Sequence, residues 1–353
     1  MNRLPILLPM TVLAQLDEVT VYQTAAFQTI DLQAADFDTD TVKKTKQKHQ
    51  KTSQQLLQSG QASYGELNLG LHVNDDAAKV LDNRMRLLAA INQPLNAQQS
   101  KPQHLPINSL HWVNQVHGKQ ICDVDTANLS MRPMDADAIV SQQAGLGLAI
   151  MTADCVPIVL YQPASGKIAA IHAGWQGLAC AVIKATVERF TASGPIMAWI
   201  GTCISQNCYE VSTHVRDQLL AGCLANKSLS STHVDNFDSL FCMPTDTNTS
   251  LNSDLQTANE SLYKTSDKLP SRATVDSAKI KLDLPKLAAY QLRDAGITVC
   301  SEAPYQCSYT DERYYSYRRQ THLQQPATGR MALIIVRSSA LTDINYAEKF
   351  LAC

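Results

Sequence analysis

The stretch LAIMTADCVPIVLYQPASGKIAAIHAGWQG, residues 148–177, decides the fold and raises the chemical question. Its apolar runs LAIM, CVPIVLY and KIAAIHAG are short and separated by small or turn-forming residues, so they read as buried strands. Several neighbouring strands lack room for a crossover helix, which favours a mixed sheet over a doubly wound parallel one. Cys155 opens one run and His172 closes another, 17 residues later, each beside small residues. Three readings are open for the pair: a metal site, a Cys–His nucleophilic pair, or core groups hydrogen-bonded in place.

Outward from this stretch, ADAIVS, IMAWIG (196–201) and MALIIVR (331–337) read as further strands. DAAKVLDNRMRLLAAI (76–91) has helical spacing behind Asp75, the expected cap. WQGLACAVIKATVERF places Leu178, Ala181, Val182 and Ala185 on one face of a helix that packs on the sheet. THVRDQLLAGCL and LDLPKLAAYQLRDAGI read as amphipathic helices, the second stopped by Gly296. The expected fold is α/β with α+β character, a layered sandwich of mixed sheets flanked by helices. One domain is expected over 1–353, with its core at about 60–338. The polar segments 36–59 and 243–275 read as surface insertions and 92–106 as a third loop. No GxGxxG or GxxxxGK[ST] loop occurs, so neither dinucleotide nor nucleoside triphosphate binding has a motif to rest on.

A formal net charge of -2, with 45% apolar and 18% charged residues, fits a soluble globular chain and suggests neither nucleic acid nor an acidic lipid surface as partner. The basic run KKTKQKHQK (43–51) has no aromatic residues and reads as a solvated loop. The opening MNRLPILLPMTVLAQ is interrupted by two prolines and followed by Asp17 and Glu18, so it is read as mature chain. No run reaches the roughly 18 apolar residues of a membrane span. The ten cysteines are expected as free thiols, the location as cytoplasmic and the state as monomeric.

For a metal, Cys155 would supply a thiolate and His172 an imidazole, with a third ligand from HWVNQVHGKQI (111–121). His117 is favoured over His111 because Gly118 lets backbone pass close to its ring. Asp154 points away from Cys155 in a regular strand, but a turn at that point would bring its carboxylate toward the site. Arg84, Arg318, Arg319 and Arg330 are the candidate anion-binding cations, and adjacent Arg318 and Arg319 could clamp a phosphate or carboxylate. Trp175 and Tyr317 offer walls for a flat heterocycle.

Several of these segments, in order, resemble the YfiH family of laccase-domain proteins. SYGELNLGLHVNDD (63–76), NR (83–84), NQVHG (114–118), DADAIVS (135–141), TADCVPIVL, AAIHAGWQG, IGTCISQNCYEV (200–211) and SYRRQ…TGR carry the resemblance across roughly 60–338. The resemblance implies a YfiH-like fold and a zinc site on His117, Cys155 and His172. It implies site neighbours at Asn83, Arg84, Asp154 and the Arg318–Arg319 region. It further implies phosphorolysis of adenosine, inosine or methylthioadenosine, with adenosine deamination, so the expected ligands are a purine nucleoside and phosphate. A branch of the family implies amide hydrolysis of peptidoglycan precursors, and the older laccase label implies copper. A non-catalytic zinc-binding protein is the remaining class, recognisable by a fourth protein ligand from Cys122, Cys180 or His111. Two positions depart from the family pattern: Gln176 stands where Arg is usual, and Thr202 where Pro is usual. Loss of the Arg charge at 176 weakens phosphate binding unless another cation compensates. Cys203 and Cys208, near the second departure, are expected as buried or loop thiols.

Overall fold

The computed structural model describes residues 8–16, 18–27, 61–93, 105–127, 133–191, 194–245, 278–301 and 306–339. The hairpin β1 (Met10–Leu16) and β2 (Val19–Thr24) is followed by α1 (Ala77–Ile91), then by the short β3 (Ser109–His111) and β4 (Ile121–Asp123). The central run is β5 (Ala138–Ser141), β6 (Leu146–Thr152), β7 (Val156–Gln162) and β8 (Lys167–Ala173). After it come α2 (Trp175–Ala179), α3 (Val182–Val187) and β9 (Met197–Ile200). A 3-10 turn at Gln206–Cys208 leads to β10 (Glu210–Ser212), α4 (Thr213–Asn226), α5 (Ser231–Asp235), α6 (Phe237–Phe241) and β11 (Cys242–Pro244). The last described elements are β12 (Lys279–Leu282), α7 (Leu284–Asp294), β13 (Thr298–Ser301), α8 (Tyr317–His322) and β14 (Met331–Arg337).

Two mixed sheets form the body. One has the order β1-β2-β14-β6-β3 and the other β13-β9-β7-β8-β5-β4, while β10, β12 and β11 make a small third sheet. The apolar runs are continuous because both faces of these strands are covered. In β6, Leu148 and Ile150 pack between the two large sheets, whereas Ala149 and Met151 pack on the outer side with Leu87 and Ile91 of α1. In β7, Val159 and Tyr161 face the inter-sheet core, and Ile158 and Leu160 face Leu178, Val182 and Leu287 on the helices. The order of layers is therefore helix, sheet, sheet, helices. Burying each such aliphatic side chain contributes roughly 1.5–3 kcal/mol relative to exposure. Among the described residues, no helix is long and apolar enough to cross a membrane.

The expected strands all form. Three local expectations need correction. The cap of α1 is Asp76, whose carboxylate accepts from Ala78 N, while Asp75 instead accepts from Asn68 Nδ2. The single helix expected after Trp175 is two, because Ala181 turns the chain into the left-handed region at φ 64°. Met243 and Pro244 lie in β11, so the polar segment 243–275 begins inside a strand. Segment 36–59, the basic run 43–51 and residues 246–275 lie outside the described residues.

Candidate metal centre

The site forms where the ends of both large sheets meet. The β6–β7 connection, Ala153–Cys155, is a bend rather than part of a regular strand, and Asp154 adopts φ 108° within it. Cys155 therefore stands just before β7, opposite the end of β8, where Pro157 pairs with His172. His117 reaches the same place from a loop, with its own backbone at φ 60°. The thiol and one nitrogen from each imidazole all lie within 4.8 Å of one another. Cys155 Sγ and His117 Nε2 are 4.0 Å apart, and the two imidazole rings meet edge to face at 4.8 Å. A tetrahedral zinc site would give a sulfur–nitrogen edge of about 3.5 Å, so these residues fit a metal with little movement. Among the described residues, Cys122, Cys180 and His111 do not join the group; His111 contacts Ser109 Oγ at 3.0 Å.

Asp137, buried and not singled out from the sequence, organises the cluster. Its Oδ1 accepts from His172 Nδ1 at 2.8 Å and from His117 N at 2.9 Å; its Oδ2 accepts from Gly118 N at 2.6 Å. The bond to Nδ1 leaves His172 Nε2 for the centre, the usual arrangement of a ligating histidine. Gly174 closes the other side: a Cβ there would stand 3.1 Å from Cys155 Sγ and 3.3 Å from His117 Cδ2. Burial alone would raise the Cys155 pKa, but the His172 charge and hydrogen bonds from both imidazoles outweigh it and bring it down to about 6. Burial likewise works against charge on His172, yet Cys155 and Asp137 hold its pKa up, at about 9. Both shifts favour a thiolate beside an imidazolium when no metal is bound.

The cluster opens into a cavity of about 540 Å³. Asp154, Trp175, Gln176, Tyr317 and Arg318 line it, together with His72, Gln115, Thr152, Tyr209 and Arg330. Asp154 is tightly held. Its carboxylate accepts from Ser308 Oγ at 2.6 Å, Ser316 Oγ at 3.0 Å and Arg318 N at 2.7 Å, so it fixes the start of α8 rather than standing free for proton transfer. Arg318 stacks over Tyr209 at 5.3 Å and donates to Glu210 O. Arg319, expected to clamp an anion with it, turns away from the cavity and donates to the carbonyls of Ser308, Tyr309 and Tyr314. The geometry likewise moves Arg84 and Asn83 out of the lining. Arg84 gives two hydrogen bonds to Leu69 O and stacks on Trp112 at 4.2 Å, and Asn83 Nδ2 donates to Asn68 O. Both brace the loop that carries His72. Gln176 is exposed at the cavity. Thr202, at the other departure, uses the N–H that proline would lack to reach the buried Gln23 Oε1 at 3.0 Å. The nine described cysteines are free, with Cys203 buried and Cys208 half-buried.

Fold and site together define a layered α/β protein with a three-residue His–Cys–His group able to hold a metal, at the floor of a cavity of mixed lining. The family model for multi-copper polyphenol oxidoreductase laccase matches residues 48–259 and 247–338. The chain belongs to that family. It is 30% identical over 275 residues to the Escherichia coli protein named purine nucleoside phosphorylase YfiH, covering 77% of this chain and 86% of that one. It is 29% identical over 277 residues to a purine nucleoside phosphorylase of Pseudomonas aeruginosa, covering 78% and 87%. The Bacillus licheniformis YfiH structure superposes with a TM-score of 0.60 at 20% identity, covering 93% of this chain and 96% of that one. A Neisseria meningitidis structure gives 0.60 at 23% identity, covering 94% and 100%. At that identity, the two structures support the fold.

Proposed function

We propose that this chain is a zinc-dependent purine nucleoside phosphorylase that also deaminates adenosine. The observation that carries the proposal is the convergence of His117, Cys155 and His172 beneath a cavity whose size suits a nucleoside. The names of the Escherichia coli and Pseudomonas aeruginosa relatives support it. The thiolate-forming Cys155 and two imidazoles would hold zinc, which when bound supplies a Lewis-acid centre to polarise the purine or a water. Trp175 and the exposed Tyr317 both line the cavity and would flank the base. Tyr209, whose hydroxyl burial holds in its protonated form, offers a neutral donor. In phosphorolysis a phosphate oxygen bonds to C1′ as the glycosidic bond breaks, its electron pair passing to the purine. In deamination, water replaces the C6 amino group and ammonia leaves.

A peptidoglycan precursor would call for a long open groove, and hydrolysis of such a precursor by the zinc-loaded protein would favour that reading instead. Copper oxidation by a multi-centre route needs further ligand groups, and among the described residues the His–Cys–His group is the one of this kind. The test is to incubate zinc-loaded protein with adenosine, with and without phosphate, and to resolve adenine, hypoxanthine and inosine by chromatography. Adenine dependent on phosphate is expected. Product no greater than that of Cys155→Ala would end the purine reading.

A further inference from the structure

Arg330 lies in the field of Cys155 and Asp154 but makes no salt bridge among the described residues. Its Nη1 is used on the carbonyls of Thr328 and Gly329, both at 3.0 Å, while Nε and Nη2 have no protein acceptor and no carboxylate pairs with it among the described residues. It lines the cavity beside the thiol-and-imidazole cluster. Its position is built, not incidental. Asn68 Oδ1 accepts from Arg330 N at 2.9 Å and from Gly70 N at 3.0 Å, and a Cβ on Gly70 would lie 2.8 Å from Arg330 Cγ. Asn83 and Arg84 hold the carbonyls of Asn68 and Leu69. This bracing sets His72, two residues past Gly70, on the same cavity. Burial lowers the His72 pKa first, and the neighbouring charge of Arg330 lowers it further.

A second, independent observation comes from β6. Thr152 is 2% exposed and lines the cavity, yet its Oγ1 has no hydrogen-bond partner among the described residues. Thr152 pairs across the sheet with Met331, so its hydroxyl belongs to the residue opposite the one that follows Arg330. An orphaned buried hydroxyl is destabilising unless a ligand completes it. A fork of free N–H groups, an imidazole and a hydroxyl are the donors that a tetrahedral oxyanion takes.

We infer that Arg330, Thr152 and His72 form the subsite that seats inorganic phosphate next to the His–Cys–His cluster. Phosphate as the particular oxyanion rests on the phosphorolysis proposed above; the subsite itself rests on the unpaired donors.

The test is calorimetric titration of the purified full chain with sodium phosphate at constant ionic strength, alongside Arg330→Gln and the near-isosteric Thr152→Val. Wild type should bind one phosphate per chain, Arg330→Gln about tenfold or more weakly, and Thr152→Val by several-fold, in keeping with the loss of charged and neutral hydrogen bonds. Circular dichroism checks folding, and if Arg330→Gln misfolds, Thr152→Val decides. No binding to wild type, or wild-type affinity in the folded variants, would overturn the subsite. Phosphate bound through Arg330 with no adenine formed from adenosine would leave the subsite standing and end the phosphorolysis reading. Phosphate-dependent adenine with an unaltered phosphate KM in the folded variants would do the reverse.

Discussion

At Cys155 the chemistry turns on one buried carboxylate two shells away. Cys155 first and Asp137 next keep His172 charged against its burial, and the charged ring keeps the thiol ionised. The thiolate is the reactive form, so in metal-free protein it is present at pH 7 and is lost as pH falls through about 6. Iodoacetamide labelling of Cys155, followed by mass spectrometry, should therefore be half-maximal near pH 6, whereas an ordinary thiol would titrate at about 8.5. Asp137→Asn should move that midpoint upward and weaken zinc binding by roughly 10–100-fold, measured by competition with a chelator. Zinc should protect Cys155 from labelling. Gly174→Ala should also weaken zinc, because its added methyl meets Sγ and the His117 ring at once. Cys155 and His172 drew notice in the sequence because they open and close apolar runs beside small residues, but it was the family resemblance that joined them to His117 as a metal triad. Asp137 was not legible there, although DADAIVS contains it. Its signal was the need of a ligating histidine for an acceptor at its second nitrogen.

Elements decide which arginine reaches the site. Arg318 and Arg319 are neighbours in sequence, but α8 sends them in different directions, one onto Tyr209 and one into a set of carbonyls. That divergence depends on where the helix starts, which Asp154 and Ser316 set through contacts remote in sequence. The strands were readable because their apolar runs are buried on both faces. The break at Ala181 was not, because nothing in an alanine announces a left-handed backbone. Asn83 and Arg84 matter here as braces. Asn83→Ala leaves the Asn68 carbonyl without its donor in a buried place, and should cost about 1–3 kcal/mol in urea denaturation. A loss below about 0.5 kcal/mol would show that α1 does not hold this loop.

On the scale of the whole molecule, the His–Cys–His cluster draws on the β6–β7 bend, β8 and one loop, while the cations come from α8 and the entry to β14. Composition alone marked 36–59 and 243–275 as polar additions to this body, and limited proteolysis should cut within them first with the catalytic activity retained. First cleavage within 146–200 would mean that the core had been misplaced. The place of β14 has a further consequence. The last described strand is the middle one of its sheet, paired with β2 on one side and β6 on the other. While the chain is being synthesised, the β7–β8 hairpin and its cysteine and histidine leave the ribosome well before this strand does. Until then, the edges of β2 and β6 are both open, each an invitation to pair with another nascent chain. A ribosome stalled short of residue 331 would thus display a thiol and imidazoles able to take up metal, on a half-built protein still dependent on chaperones.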